Sequence, residues 1–208
     1  MTGHRSDLNG TDRQTLAFYD SDAARYAERK PHQRDERALE EFMEQLPDSA
    51  AVCDLGCGNG WASARLLERG FQVKAIDGSA GLAPEADRVH GVSVDVMTFH
   101  DFKSRAEFHG LWACWSLHHA PRAAFPGLLR KVSESVLPSG VLFISVKGGT
   151  GENRDSFGRF YSYFDRDELE KLLAENVDGQ IVRHDSWTDR CFEGKDAQLH
   201  QVLIRKSG

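Results

Sequence analysis

The 208-residue sequence lacks several features, and each absence excludes a class of protein. No apolar run approaches the ~18 residues of a membrane-spanning helix, and the first residues, MTGHRSDLNGTDRQ, contain no apolar core of the kind found in signal peptides. We therefore expect a cytoplasmic protein with no membrane partner. The four cysteines, Cys53, Cys57, Cys114 and Cys191, show no CxxC spacing, so we expect reduced thiols and no metal site.

A surplus of basic residues is also absent. The formal net charge is −6 at pH 7, which argues against a sequence-independent grip on nucleic acid, because such binding needs a basic face. A small-molecule substrate is the favoured partner. Repeats and long linkers are missing too, so we expect one domain over residues 1–208, with a helical cap or lid over 1–46 and a core over 50–208. No pattern indicates an oligomeric state.

The most informative segment present is VCDLGCGNG, residues 52–60. An apolar run that ends in an acid and continues into alternating glycines is typical of a strand that leads into a nucleotide-binding loop. Gly56, Gly58 and Gly60 allow a sharp turn and a close approach of ligand to backbone. The following WASARLLERG predicts a helix that ends at Gly70.

Asp54 and the glycine spacing indicate which ligand this loop binds. A dinucleotide loop needs GxGxxG, and Trp61 stands where the third glycine of that pattern would be. A carboxylate at Asp54 would repel a pyrophosphate, whereas it suits the sulfonium and ammonium groups of S-adenosylmethionine. A tight strand-to-helix turn without any ligand is the alternative.

Two further acids end predicted strands. Asp77 ends FQVKAID, where α/β nucleotide sites place the acid that binds ribose hydroxyls; the alternative is an N-cap for a helix that begins near Ser79. Asp95 ends a strand within GVSVDVMTF, and it is placed to accept a hydrogen bond from an adenine amino group. An Asp after a strand is also often a simple turn former.

Strand and helix patterns alternate along the rest of the chain. A helical stripe over residues 39–46 ends at Pro47, another over 125–136 precedes the strand VLFISVK, and late strands are predicted over 180–187 and 198–205. A further helix is predicted to begin at Asp165, with a capping box that ends at Glu168. Such alternation implies a mostly parallel sheet with helices on both faces and a ligand at the carboxyl ends of its strands.

The motifs VCDLGCGNG, KAIDGS, VDV and FHGLWACWSLHHAP, in this order and spacing, resemble the class I S-adenosylmethionine-dependent methyltransferases over nearly the whole chain. The resemblance implies an α/β, Rossmann-like fold with a seven-stranded sheet whose last strand is antiparallel, and S-adenosyl-L-methionine as cofactor. Residues 15–26, WACWSLHHAPR and KGGTGENRDSFGRF resemble most a group of small bacterial methyltransferases loosely related to tellurite-resistance methyltransferases. The cofactor-binding residues expected from these motifs are Tyr19, Tyr26, Asp54, Gly56, Cys57, Gly58, Asn59, Gly60, Asp77, Gly78, Ser79, Asp95, Val96, Trp115 and Ser116.

Catalytic and substrate-binding residues are expected at the same edge of the sheet. His118 or His119, after the fourth strand, can serve as a base, or both can cap the next helix or line the pocket, because methyl transfer often needs no base. The segment over residues 147–164 combines cations, glycines and tyrosines, as a mobile loop that grips an anionic and partly flat acceptor would; a solvated surface loop is the alternative. Its substrate-binding candidates are Lys147, Arg154, Arg159, Tyr161 and Tyr163.

The sequence therefore predicts an S-adenosylmethionine-dependent methyltransferase that acts on a small anionic molecule by direct in-line transfer. A non-catalytic S-adenosylmethionine-binding protein is an alternative, because binding motifs survive the loss of chemistry. A nicotinamide-dependent oxidoreductase is a further alternative, which the glycine spacing and Asp54 disfavour. The acceptor atom is not encoded in any motif.

Overall fold

The computed structural model describes residues 12–190 and 194–208. The prediction of a reduced thiol at Cys191 lies outside these residues. The helices are α1 (Arg13–Ser21), α2 (Ala23–Ala27), α3 (Gln33–Met43), α4 (Trp61–Glu68), α5 (Leu82–His90), α6 (Phe125–Ser135) and α7 (Arg166–Asn176). The strands are β1 (Ala51–Leu55), β2 (Gln72–Asp77), β3 (Val94–Val96), β4 (Phe108–Ala113), β5 (Val136–Lys147), β6 (Glu152–Arg154), β7 (Phe160–Ser162), β8 (Gly179–Arg190) and β9 (Asp196–Lys206).

Seven strands form one sheet in the order β3-β2-β1-β4-β5-β9-β8. The first five run parallel, β9 pairs antiparallel with β5, and β8 pairs antiparallel with β9. This confirms the Rossmann-like fold and the antiparallel last strand. The strand order reverses direction between β1 and β4, and such a switch point places ligands outside the carboxyl ends of the strands.

Apolar side chains cover both faces of the sheet. On one face, α3 and α4 bury Leu39, Phe42 and Leu66 against Trp112 of β4. Trp112 also stacks on Phe143 of β5, with ring centroids 3.9 Å apart. On the other face, α6 and α7 pack on the side chains that point the opposite way from β4, β5 and β9. The alternating direction of side chains in a strand explains why every central strand reads as almost continuously apolar.

The amino-terminal segment, from residue 12, belongs to the helical cap or lid that the sequence predicts over residues 1–46. It forms two short helices, α1 and α2, which are separated at Asp22. Asp12 caps α1 by accepting a hydrogen bond from the backbone of Thr15 at 2.9 Å. Asp20, near the other end of α1, accepts hydrogen bonds from the Ser79 hydroxyl at 2.6 Å and from the Gly81 backbone at 2.9 Å. Helix α1 is therefore attached to the loop that precedes α5.

Residues 147–164 are also more regular than a mobile loop. Strands β6 and β7 form an antiparallel hairpin, in which Asn153 pairs with Tyr161. The hairpin is held against α1, because the Thr15 hydroxyl accepts a hydrogen bond from the backbone of Phe160 at 2.8 Å. Helix α7 then begins after Asp165, whose side chain accepts from the backbone of Glu168, as predicted. None of the helices within the described residues combines the length and apolar character needed to cross a bilayer.

Candidate active site

A cavity lies at the carboxyl ends of β1, β2 and β4, beneath α1 and α2. We call it the glycine-loop cavity. Its empty volume is about 680 Å³, part of which is open solvent, and small-molecule sites span roughly 300–1,000 Å³. The residues that line it are Asp12, Thr15, Leu16, Tyr19, Tyr26, Gly56, Gly58, Asp77, Gly78, Leu82, Thr98, Phe99, Cys114, Trp115, Ser116 and His119.

Two glycines of the loop after β1 are required by local geometry. Gly56 and Gly58 have φ angles of +81° and +58°, in the left-handed region that most side chains avoid. A Cβ at residue 56 would lie 2.3 Å from the Cβ of Ser116, so the loop can pass β4 only without a side chain there. Gly58 instead faces the cavity, where an added Cβ would lie 3.5 Å from the Tyr26 ring.

Asp77 is fixed by backbone hydrogen bonds to both of its carboxylate oxygens. The Gly58 N–H donates to Oδ2 and the Ser79 N–H donates to Oδ1, each at 2.8 Å. Asp77 is not the N-cap of α5, because that helix begins five residues later, at Leu82. Each oxygen keeps a second lone pair, so the carboxylate can still accept hydroxyl groups from a ligand. Burial raises the pKa of Asp77, against the opposing effect of these backbone hydrogen bonds.

Asp54 lies below the cavity wall rather than on it. The side chain is 2 % exposed and accepts a hydrogen bond from the Ser63 hydroxyl at 2.6 Å. Burial and, to a smaller extent, the nearby negative charge of Asp77 raise the pKa of Asp54 to about 7, against the opposing effect of the hydrogen bond from Ser63. The ends of β1 and β2 therefore bring two acids together in a region of low solvent access, and a bound cation would favour the ionised form of both.

Some of the other predicted cofactor-binding residues line the cavity, and the rest lie behind or beside it. Tyr19, Tyr26, Gly78 and Trp115 line the cavity. The remaining positions do not line the cavity. Cys57 packs in the core, Asn59 donates to the Ala27 and Arg29 carbonyls, and Gly60 is the N-cap of α4. The Ser79 hydroxyl donates to Asp20, and Asp95 and Val96 are exposed on β3.

A second cavity adjoins the first, and we call it the basic cavity. The two cavities share the side chains of Tyr19, Tyr26, Trp115 and His119. It is also lined by five cationic residues, by further aromatic rings and by two acids. These residues are Arg29, Lys30, Lys147, Arg159, Arg190, Trp61, Tyr161, Trp187, Asp35 and Asp189.

Both predicted catalytic histidines line the basic cavity, His119 also lines the glycine-loop cavity, and both rings are neutral. The Nδ1 of His118 accepts a hydrogen bond from the Lys147 backbone at 3.3 Å, so the proton is on Nε2. His119 donates from Nδ1 to the Phe160 carbonyl at 2.7 Å, and its Nε2 accepts from the Tyr19 hydroxyl at 3.0 Å. Burial lowers the pKa of His118 well below its usual value and that of His119 to about 4.

The predicted substrate-binding cations do not all meet at one place. Lys147 lines the basic cavity, with Nζ 3.6 Å from the centre of the Tyr161 ring. Arg159 also lines it, but its guanidinium is paired with Asp155 at 2.6 Å and donates to Tyr19. Arg154 lies outside both cavities, where it forms a bidentate ion pair with Asp12 at 2.7 and 2.9 Å. Tyr163 is outside both cavities as well.

Several residues of the site were missed by sequence reasoning. Asp12 and Thr15 have the spacing of an N-cap pair, and this signal could have placed the start of α1. Asp35 and Trp187 carry no such signal, because their partners are distant in the sequence. Trp115 donates from Nε1 to Asp35 at 3.0 Å, across 80 residues. Trp115 also has a φ of +52°, and its backbone N–H donates to the Ser145 hydroxyl at 2.7 Å.

Comparison with known proteins identifies the family. A family model described as a methyltransferase domain matches residues 23–177, which is most of the chain. The chain belongs to the class I S-adenosylmethionine-dependent methyltransferases. It is 31% identical over 160 residues to a ubiquinone biosynthesis O-methyltransferase from Xanthomonas axonopodis pv. citri, an alignment that covers 71% of the chain and 63% of that relative. The alignment thus spans less than two thirds of the length of this Xanthomonas relative.

Solved structures of methyltransferases support the same assignment. The 1,6-didemethyltoxoflavin-N1-methyltransferase of Burkholderia thailandensis, determined with 1,6-didemethyltoxoflavin and S-adenosylhomocysteine bound, superposes with a TM-score of 0.66 at 25% identity. The superposition covers 96% of this chain and 94% of the other. The [4+2]-cyclase SpnF superposes with a TM-score of 0.70 at 16% identity over 93% of each chain, a likeness that shows only a shared fold.

The glycine-loop cavity fits S-adenosylmethionine, the cofactor of the family. The backbone at Gly58 is open to the cavity, as a close ligand contact requires. The buried acids Asp54 and Asp77 concentrate negative charge beside the space that a cationic cofactor would occupy. Leu16, Leu82 and Phe99 add apolar surface for a purine ring.

Proposed function

We propose that this methyltransferase transfers the methyl group of S-adenosylmethionine directly, by in-line displacement, to a small, flat, anionic acceptor bound in the basic cavity. The observation that supports this most is the common wall of the two cavities, formed by Tyr19, Tyr26, Trp115 and His119. Because the two cavities share these lining residues, a cofactor in one and an acceptor in the other would be held next to each other. Such positioning accounts for ~7–11 kcal/mol of the barrier in well-oriented reactions.

In this proposal the cofactor is held by the glycine loop and by the acids that follow β1 and β2. Asp77 would accept the ribose hydroxyls, Asp54 would favour the positive charge from below, and Asp95 with Val96 would lie at the adenine end of the site. The bound cofactor supplies a methyl group that is already activated by its sulfonium. The protein contributes orientation and exclusion of water, with α1 and α2 as the cover.

The acceptor class is inferred from the lining of the basic cavity. Lys147 supplies positive charge, and Arg159 adds a guanidinium that is paired with Asp155. Trp61, Trp115, Tyr161 and Trp187 supply flat apolar surfaces. Cations bind carboxylates and phosphates through charge-assisted hydrogen bonds, and rings stack on rings. The relatives support a small-molecule acceptor: one is named for an O-methylation in ubiquinone biosynthesis, and another was crystallised with 1,6-didemethyltoxoflavin.

The test is release of S-adenosylhomocysteine in the presence of a panel of acceptors. The panel pairs hydroxybenzoates and hydroxypyridine carboxylates with their neutral amides and with amine-bearing analogues. We expect turnover with anionic members and little with cationic ones. Gly58→Val is the control, because it places a branched side chain in the cofactor space at a left-handed φ. Turnover of cationic acceptors alone would contradict the proposed substrate class.

A non-catalytic S-adenosylmethionine-binding role is the second candidate, and the same experiment addresses it. The cyclase SpnF shows that this fold is not tied to one reaction. Tight binding of S-adenosylmethionine without turnover of any panel member would favour this candidate. The nicotinamide alternative has no support, because the chain belongs to the methyltransferase family.

A further inference from the structure

Methylation of an O–H or N–H group releases a proton, and the two histidines beside the common wall are poorly placed to take it. His118 presents the protonated Nε2, because Nδ1 already accepts from the Lys147 backbone. The lone pair of His119 Nε2 is engaged by the Tyr19 hydroxyl at 3.0 Å. Burial further lowers the proton affinity of both rings, with the pKa of His119 at about 4. A different side chain of the basic cavity would therefore have to accept this proton.

The basic cavity contains two carboxylates, and they differ in their surroundings. Asp189 has a side chain that is 37% exposed, and it lies 3.4 Å from His32 at the mouth. Asp35 is buried, with 8% of its surface exposed. It occupies the first turn of α3 and lines the cavity together with Trp115 and His118. Asp35 is thus the acid that a bound acceptor would meet inside the cavity.

The carboxyl group of Asp35 is held in one orientation. Trp115 Nε1 donates to Oδ1 at 3.0 Å, and Gln201 Nε2 donates to the same oxygen at 2.8 Å. The backbone of His32 also interacts with the carboxyl group. A carboxylate accepts about four hydrogen bonds, so acceptor capacity remains, and neither side chain engages Oδ2.

The proton affinity of Asp35 suits exchange near neutral pH. Burial raises the pKa of Asp35 to about 6, although the hydrogen bond from Trp115 and the charge of His32 oppose the rise. A general base is most effective when its pKa lies near the working pH. An exposed aspartate, with a pKa of ~3.9, would be a much weaker base.

We propose that Asp35 binds the acidic O–H or N–H hydrogen of the methyl acceptor in the basic cavity and accepts that proton during methyl transfer. The acceptor heteroatom gains the methyl group and loses its proton to Asp35 Oδ2, while the electrons of the carbon–sulfur bond stay on sulfur. The protonated Asp35 then returns the proton to solvent through the mouth of the cavity. This inference rests on the proposed function, and it adds a recognition group for an acidic hydrogen at a position that no motif indicated.

Binding to the complex with S-adenosylhomocysteine tests this without turnover. The probes are 3,4-dihydroxybenzoate, which is flat, anionic and carries hydroxyl hydrogens, and benzoate, which lacks them. Asp35→Asn keeps an oxygen for Trp115 and Gln201 but loses the charge. We expect this substitution to weaken the binding of 3,4-dihydroxybenzoate by about 10- to 100-fold and to change the affinity for benzoate by less than about 3-fold. Glu36→Gln, an equal charge change on the exposed side of α3, should change neither.

Turnover supplies the second measurement. With an anionic acceptor identified from the panel, Asp35→Asn should lower kcat by about 100-fold or more, while S-adenosylhomocysteine affinity stays unchanged. Equal losses for both probes would overturn the inference and leave Asp35 as a support for Trp115. Retention of full 3,4-dihydroxybenzoate affinity in Asp35→Asn would overturn it too. If the wild-type protein bound neither probe, the proposed acceptor class would fail and the inference would fail with it.

Discussion

Asp77 is the residue on which cofactor affinity is expected to depend most, because two backbone N–H groups hold its carboxylate at the cavity wall. Asp77→Ala should weaken S-adenosylmethionine binding by about 2–4 kcal/mol, the scale of two charge-assisted hydrogen bonds to hydroxyl groups. Isothermal calorimetry measures this directly. Asp77→Asn is the matched variant, because it keeps one oxygen for the loop and should lose less. An unchanged dissociation constant in folded Asp77→Ala would disprove the ribose assignment.

Asp54 should report the charge of the cofactor through its proton. The pKa of Asp54 is about 7, above the 3.8 of an unperturbed aspartate. Its protonated form therefore contributes stability that is present below about pH 4 and is lost as the pH rises through 7. A bound sulfonium lowers the pKa, so binding at pH 7 should release protons. S-adenosylmethionine should release more than S-adenosylhomocysteine, which lacks the sulfonium charge.

Calorimetry in buffers of different ionisation enthalpy counts these protons. Asp54→Asn should remove the difference between the two ligands, because the amide does not titrate. An asparagine fits in place of Asp54, and the Ser63 hydroxyl can still donate to its amide oxygen. Equal proton release by the two ligands in the wild-type protein would mean that Asp54 does not sense the sulfonium.

At the scale of elements, α1 and α2 lie over the glycine-loop cavity, and α1 is attached at both of its ends. Asp20 attaches it to the start of α5, and the pair of Asp12 with Arg154 attaches it to the hairpin. Short helices contribute little stability of their own, so ligand contacts from Tyr19 and Tyr26 should add protection. Hydrogen exchange in α1 and α2 should slow when S-adenosylhomocysteine binds.

Amides of α7 provide the internal control for that measurement, since this helix packs on α6 away from both cavities. Arg154→Ala should raise exchange in α1, because Asp12 would lose its bidentate partner. The partly exposed pair should be worth only ~1 kcal/mol, so the effect is local. Exchange in α1 that is equal with and without ligand would show that this segment packs as a fixed part of the fold.

The elements with local sequence signals were the ones predicted well. Strands β1, β2 and β4 read as apolar runs, and α7 showed its capping residue. The hairpin had no such signal, because its glycines suggested a loop and its anchor, Asp12 with Arg154, spans 142 residues. Asp35 and Gln201 are 166 residues apart. Contacts of this kind depend on the whole fold, and residue patterns along the chain do not encode them individually.

The same limit explains the interpretation of Arg154 as a substrate ligand, because its partner Asp12 is distant in the sequence. Arg159 is different, because its partner Asp155 is only four residues away and the pair has a local signal. The glycines after β1 needed no distant partner for their prediction, since a left-handed turn is a local requirement.

At the scale of the whole molecule, an acidic protein encloses a basic cavity. The net charge of −6 repels anions at long range, and salt screens this repulsion over ~10 Å. Lys147, which is 8% exposed, acts at short range within the cavity and is screened far less. Affinity for an anionic acceptor should therefore depend strongly on Lys147 and weakly on surface charge.

Lys147→Gln should raise the Michaelis constant of an anionic panel acceptor by about 10- to 100-fold, the loss expected for one charge-assisted contact. The affinity for S-adenosylhomocysteine should stay nearly constant, because Lys147 lines the basic cavity and not the glycine-loop cavity. Lys171→Gln removes an equal charge from the exposed face of α7 and should leave the constant unchanged. Steady-state kinetics at two salt concentrations separates the two effects. Equal Michaelis constants for Lys147→Gln and wild type would place the anionic group of the acceptor elsewhere in the cavity.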